Sequence, residues 1–295
     1  MDKSQDNIAF KPIKLEKSRF KRAETYFYAS MHLWCLSDRM FRGVDSTIYH
    51  CCIQKTASQW FSYFWNDPDI RKCTKRRHLN PDENFQLRSK RTKRRAKFLP
   101  RRCIISPLFI RRPDYDSLSK GNNYRTFYVM RDPRDVIVSS YFSIRYSHPL
   151  NDQIQKMRDR MSSQSKEEGI TYLIEVSQEG YFLILDEWIH APSDERVKLF
   201  RYEDLFGDNQ LEAFVELMNH LEINISREVL SEVLGRIQFQ KISGRETGKE
   251  DVRHHYRKGV ANDWKNHLTD RHIDLIKSKA GDLLIDLGYE QDANW

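Results

Sequence analysis

The sequence predicts one α/β domain with a central, mostly parallel sheet flanked by helices. Three observations carry this. Short runs rich in apolar, aromatic and β-branched residues stand at 47–53, 103–106, 123–130 and 197–202, and helical patterns separate them. The residues with the most chemistry, Lys55, Arg131 and Tyr202, each fall within about two residues of a strand end, where open parallel sheets hold ligands. No internal repeat occurs, and 295 residues suffice for a substantial core.

Taken in order, residues 1–45 form an N-terminal extension. It opens polar and lysine-rich, then places Tyr26, Phe27, Met31, Trp34, Leu36 and Met40 at roughly helical spacing before Gly43. The first strand, Thr47–Ile53, meets the loop Gln54-Lys55-Thr56-Ala57-Ser58-Gln59, and the aromatic pattern of Trp60, Phe61, Phe64 and Trp65 starts a helix. Pro68 disfavours helix at Asp67 and stops it. A basic insert occupies about 71–102. Cys103–Ser106 reads as a short buried strand closed by Pro107, and Asn123–Met130 as the next.

Pro133 and the neighbouring Asp132 and Asp135 suit the first turn of a helix carrying Val136, Ile137, Val138, Tyr141 and Phe142. Residues 150–168 are polar, a surface helix or loop. A long amphipathic helix is expected over Ile170–His190, a strand over Val197–Tyr202, and helices over Leu211–Leu221 and Ser226–Phe239. Ser243–Asn262 reads as a loop, and a final helix covers Asp270–Leu287.

Composition narrows the function. The apolar fraction of 39% is modest, but 16 Phe, 14 Tyr and 6 Trp supply large core pieces. No uninterrupted apolar run reaches the ~18 residues of a membrane span, and the N-terminus lacks a secretory h-region. Five cysteines form no disulfide framework and no C-x-x-C pair, which points to a reducing cytoplasm. The net charge of +8 is concentrated: residues 71–102 hold fourteen Lys and Arg against Asp82 and Glu83, so the remainder is mildly acidic. Such a cluster reads as a solvated face, a rim attracting an anion, or a nucleic-acid surface; no stacking platform or zinc-finger spacing accompanies it to favour the last.

Strand, lysine-bearing loop and helix is a geometry that aims backbone N–H groups at a phosphate. Lys55 adds a point charge, and Thr56 and Ser58 add hydroxyls. A second cationic site is Arg131, with Ser139 eight residues later on the next helix. A third is Arg257-Lys258-Gly259, where glycine lets the backbone approach a ligand. Each alone reads as surface charge; together they suit a polyanion with two separated phosphates.

These stretches resemble the sulfotransferases. Lys55-Thr56-Ala57-Ser58-Gln59-Trp60 is similar to that family's 5′-phosphosulfate loop, K-[ST]-G-[ST]-T-W. The run from Arg131 to Ser139 resembles its 3′-phosphate motif, Phe200–Leu205 its F-x-Y-E-D-L segment, and Arg257–Asn266 its R-K-G-x-x-x-D-W-K-N stretch. The four blocks come in family order over about 46–290. The resemblance implies a nucleotide-kinase-like P-loop fold in a domain spanning 46–295. It also implies transfer of a sulfuryl group from 3′-phosphoadenosine-5′-phosphosulfate (PAPS) to a hydroxyl or amine of a small molecule, leaving 3′,5′-ADP, with no metal.

Carried over by position, Lys55, Thr56, Ala57, Ser58 and Gln59 hold the 5′-phosphosulfate. Trp60 and Tyr202 contact the adenine, with Phe239 a partial match there, and Arg131, Ser139, Arg257, Lys258 and Gly259 hold the 3′-phosphate. Lys55 is expected to meet the leaving oxygen. The ATP and GTP loop G-x-x-x-x-G-K-[ST] is missing.

The pattern departs from the family in places. The small-molecule enzymes carry a catalytic His in an H-x-P context, where Ile105-Ser106-Pro107 has isoleucine. Glycan-modifying relatives use a Glu, for which this chain offers His78 and Glu83 as bases. Ala57 replaces the loop's glycine. His254 and His255 are adjacent and read as loop residues, not as a metal pair. The family's dimer signature survives only at Lys265, Thr269 and Asp274, leaving monomer and homodimer open. The alternatives are a polyanion or nucleic-acid binder using 71–102, a glycan or peptide sulfotransferase, and a phosphotransferase using another nucleotide.

Overall fold

The computed structural model describes residues 46–80 and 101–295. The helix expected at 23–42, Glu83 and the basic run 89–97 lie outside the described residues.

Among the described residues five strands form one sheet: β1 (Thr47–Cys52), β2 (Arg77–Leu79), β3 (Cys103–Phe109), β4 (Tyr124–Met130) and β5 (Val197–Arg201). Their order is β2-β3-β1-β4-β5, and every pairing is parallel. The expected mostly parallel α/β architecture is what the chain adopts. β1 is central. The chain leaves it for β3 on one side and returns past it to β4 on the other, so the crevice at its carboxyl end is a topological switch point. Lys55 follows that end, Arg131 follows β4 and Tyr202 follows β5.

The pleat divides the core in two. On one face Tyr49, Ile105 and Tyr128 meet Val138, Ile170 and Trp188. These come from α3 (Pro133–Phe142), α5 (Lys166–Ser177) and α6 (Leu183–Ile189); α4 (Asp152–Ser162) adds Met157 and Met161. On the other face Ile48, Ile104 and Phe127 meet Phe61 and Phe64 of α1 (Ser58–Asn66), and Phe214 of α7 (Gln210–His220). Burying each of these aromatics stabilises the layer by about 1.5–3 kcal/mol. This anchors α1, and with it the loop that precedes it.

The structure departs from the sequence reading in four places. β3 continues through Pro107 to Phe109: Tyr49 pairs Ile105 but Cys51 pairs Leu108, so an extra residue bulges out where proline has no N–H to give. The edge strand β2 and the preceding helix α2 (Pro68–Thr74) arise inside the basic insert, and Arg76 is buried, bonded to Ser46 and Thr74, so this part is not a solvated face. The long helical run from Lys166 to Ile189 contains a π turn at Gln178–Phe182. The last helix breaks at Gly281, whose φ is +56°.

Candidate active site

The loop after β1 is held open by its backbone. Lys55 (φ +71°) and Ala57 (φ +61°) both occupy the left-handed region, which costs a side-chain-bearing residue about 1–2 kcal/mol. The buried Thr56 hydroxyl donates to Ile53 O at 2.8 Å, so it serves the loop's own closure. No side chain caps the N-terminus of α1 at Ala57, which leaves first-turn donors facing outward beside the partly exposed Ser58 and exposed Gln59. Lys55 is partly buried. Burial, and then the positive charges of Arg131 and Arg257, push its pKa down to about 8.

Arg131 is buried at the end of β4. It donates to Lys55 O at 3.1 Å, to Val260 O at 3.3 Å and to Asp135 Oδ2 at 3.3 Å, tying three segments together. Its guanidinium lies 4.2 Å from the centre of the Tyr202 ring, while its Nε is buried without a partner among the described residues. A buried donor without an acceptor among the described residues, beside a lysine whose pKa burial and the Arg131 and Arg257 charges lower, fits an anionic ligand. The strand ends are pinned behind it: Tyr181 donates to Arg131 O at 2.7 Å, and Glu203 accepts from Asp132 N at 3.0 Å and from the Tyr289 hydroxyl at 2.8 Å.

The aromatic positions separate in role. Trp60 is buried, donates to Ile237 O at 2.7 Å and stacks on Phe64, so most of its surface belongs to the core. Tyr202 stacks on Phe206 with one face under Arg131. Phe239 is partly buried against Gly259, where a Cβ would come within 2.4 Å of the ring and φ is +70°. Only glycine fits there.

Arg257 and Lys258 converge on one carboxylate. Both donate to Asp263, Lys258 at 2.5 Å, and Arg257 also pairs with Glu250. Burial alone would raise Asp263, but Lys258, Arg257 and Asn266 hold it well below the usual carboxylate range. Arg257 lies 4.4 Å from the Phe142 ring centre, one turn past the partly buried Ser139, so the motif's two halves meet at one end of α3. Asp135 couples this loop to Arg131: its carboxylate accepts from Asn262 N at 2.8 Å and Trp264 N at 2.9 Å. Glu250, Asp263 and His267 place ligand-type atoms within 4.8 Å of one another, but Arg257 bonds to both carboxylates of that cluster.

Residues 53–288 match the model of the sulfotransferase domain family. The chain belongs to that family. It is 27% identical over 175 residues to Sulfotransferase 1C2 of Rattus norvegicus, covering 54% of this chain and 56% of that protein. It is 27% identical over 162 residues to Cytosolic sulfotransferase 3 of Arabidopsis thaliana, covering 51% and 50%. The chain thus spans about half the length of the curated relatives it matches. A mouse sulfotransferase complexed with PAP superposes at a TM-score of 0.57 with 16% identity, over 88% of this chain and 96% of that one. A retinol dehydratase in complex with androsterone and inactive cofactor PAP superposes at 0.53 with 17% identity, over 88% and 85%. At these identities the likeness is one of fold.

Of the expected site residues, the structure joins Arg131 to Lys55 and Tyr202, and Arg131 and Asp135 tie in the loop that carries Arg257, Lys258 and Gly259, with Phe239 against Gly259. Of the two base candidates, His78 lies on β2, its Nε2 on Ser106 O at 2.8 Å and its Nδ1 on the Asn66 amide at 3.0 Å, so both ring nitrogens are engaged; Glu83 lies outside the described residues. Sequence reasoning missed Asp135 and Asp263. The first had a signal, since a carboxylate four residues after Arg131 at a helix start is placed to pair with it.

Proposed function

We propose that the chain transfers a sulfuryl group from PAPS to a hydroxyl or amine of a small-molecule acceptor. The observation that carries this reading is Arg131, which joins the Lys55 loop at the uncapped start of α1 to the loop following Arg257-Lys258-Gly259 and keeps a buried Nε unpartnered among the described residues. PAPS would supply an activated sulfate on a phosphate leaving group. Lys55 and the first-turn N–H groups of α1 would hold its 5′ end, Arg131, Ser139 and Arg257-Lys258-Gly259 its 3′-phosphate, and Tyr202, Trp60 and Phe239 the adenine.

Charge moves onto the bridging oxygen as the sulfuryl group leaves, much as in phosphoryl transfer. Lys55, fixed by its left-handed backbone and by Arg131 on its carbonyl, meets that charge without reorganising. Arg257 and Lys258 exchange part of their hold on Asp263 for the ligand. The androsterone bound by the retinol dehydratase supports a small apolar acceptor. The four described cysteines are free, which suits a reducing cytoplasm, and no helix among the described residues is long and apolar enough to cross a membrane.

Thermal denaturation with 3′,5′-ADP tests the reading. At a hundred times its dissociation constant the ligand adds about 2.7 kcal/mol, an upward shift of several degrees. No shift at millimolar ligand overturns it. Mass spectrometry of a metabolite pool incubated with PAPS then identifies the acceptor.

A further inference from the structure

The buried Asp263 carboxylate has partners beyond Arg257 and Lys258. Its Oδ1 also accepts from the Asn266 amide at 3.0 Å, and its Oδ2 meets His267 Nε2 at 3.1 Å. The short turn Asp263–Asn266 brings this about: His267 N donates to Trp264 O at 2.9 Å, which sets the ring beside the carboxylate four residues earlier. The other ring nitrogen, Nδ1, lies 2.6 Å from Lys166 Nζ. Phe142, at the end of α3, is the common wall. Arg257 lies 4.4 Å and Lys166 5.8 Å from its ring centre, and His267 stands edge-on to it at 5.0 Å.

The hydrogen-bond chemistry of this row has one solution. A lysine ammonium has donors and no acceptor, so His267 Nδ1 offers its lone pair to Lys166. The ring proton then sits on Nε2 and is donated to Asp263 Oδ2. Burial, and then the Lys166 charge, lower the His267 pKa, so the ring is neutral and holds this single N–H; Asp263 and Arg257 are the other charges facing it. Lys166 polarises the ring and strengthens that N–H as a donor.

Lys166 is also placed against a local rule. It is the first residue of α5, fixed there by the capping box of Ser165 and Glu168, and the positive end of a helix disfavours a cation. Its hydrogen-bond partner is a neutral ring instead of a carboxylate. An exposed residue that its own helix disfavours points to a task outside that helix.

We propose that Lys166 and His267 are positioning residues for the 3′-phosphate, acting through Asp263. The assignment rests on the sulfuryl-transfer reading above. A 3′-phosphate draws Arg257 and Lys258 toward itself, and a buried carboxylate that lost both would be costly. The His267 N–H and the Asn266 amide stay on Asp263, so the two cations are released at lower cost. Lys166 supports the exchange from behind the ring, by fixing the tautomer and by supplying charge. Without it Asp263 keeps a tighter hold on Arg257 and Lys258.

Two measurements on the full chain test this. Calorimetry at about pH 8, where an unperturbed imidazole is neutral, compares 3′,5′-ADP with adenosine 5′-monophosphate, which lacks the 3′-phosphate. Lys166→Met takes a cation from the positive end of α5 and so leaves the helix intact. It should weaken 3′,5′-ADP about fivefold, the scale of an exposed charged pair, and leave the monophosphate unchanged. In a His267→Phe background the same substitution should add nothing. An equal loss for both nucleotides, no loss for either, or the same fivefold loss without the His267 ring overturns the assignment. The second measurement is an NMR titration of the His267 ring. The parent ring should carry its proton on Nε2 and titrate below the unperturbed ~6.5, and Lys166→Met should move the midpoint upward. A neutral parent ring protonated on Nδ1, or a midpoint that the substitution leaves in place, refutes the relay. If the parent chain binds no 3′,5′-ADP, the sulfuryl-transfer reading itself falls, and this role with it.

Discussion

Under the proposed function, the lowered pKa of Lys55 makes donor binding a proton-coupled event. Burial and the nearby Arg131 and Arg257 charges bring Lys55 from 10.5 to about 8, so the ligand-free site disfavours the ammonium by on the order of 3 kcal/mol. At pH 9 roughly a tenth of free chains carry the charge. A polyanion between the three cations removes the cause, and Lys55 returns toward full protonation. Binding of 3′,5′-ADP at pH 9 should therefore take up close to one proton, because its phosphates are already ionised there. Above about pH 8 the affinity should fall, by up to tenfold per pH unit.

The linkage sign for stability agrees. The folded pKa lies below the unfolded one, so the unfolded chain binds more protons from about pH 8 to 10.5, and this group's contribution makes the ligand-free chain more stable as pH rises through that window. Calorimetry in two buffers of different ionisation enthalpy measures the uptake directly. Lys55→Met should abolish it and lower turnover by about 10²–10³-fold. Equal uptake in the parent chain and Lys55→Met, or none in either, would refute the argument that the three cations converge on one ligand.

Three other substitutions probe the frame. Ala57→Gly removes a side chain from a left-handed residue, and should raise stability in denaturant by up to about 1 kcal/mol, read as a higher midpoint at unchanged slope. Asp135→Ala strips the buried Arg131 of its carboxylate and leaves the Asn262 and Trp264 N–H groups unpaired; a loss of about 3 kcal/mol is expected, a fall in Tm on the order of 10 °C. Gly259→Ala drives a Cβ into the Phe239 ring at a positive φ, and should weaken 3′,5′-ADP at least about tenfold in calorimetry if the proposed function, which sets both ring and backbone against the ligand, holds.

Several of these features were legible without coordinates because they are local. Strands β1, β4 and β5 announce themselves through alternating or continuous apolar runs, and the order of the motifs along the chain put Lys55, Arg131 and Tyr202 at strand ends. Edge strand β2 could not be read, because Arg77-His78-Leu79 faces no continuous core and carries no apolar period. Pro107 misled for a related reason: a proline ends a strand by local rules, yet β1 pairs with β3 before the bulge at Ile105 and again after it at Leu108 and Phe109.

The sequence by itself determined which residue types carry charge, which segments fold as strand or helix, and hence that a parallel sheet presents cations at its carboxyl edge. Only the tertiary structure decided which charges meet. Arg131 and Lys55 are 76 positions apart, yet one donates to the other's carbonyl, and Asp135 reaches 127 positions to hold the Arg257–Asp263 loop. Periodicity reports the face an element buries, because burial repeats with the backbone. A site assembled from single residues on separate loops repeats with nothing, and its geometry exists only once β1 lies between β3 and β4.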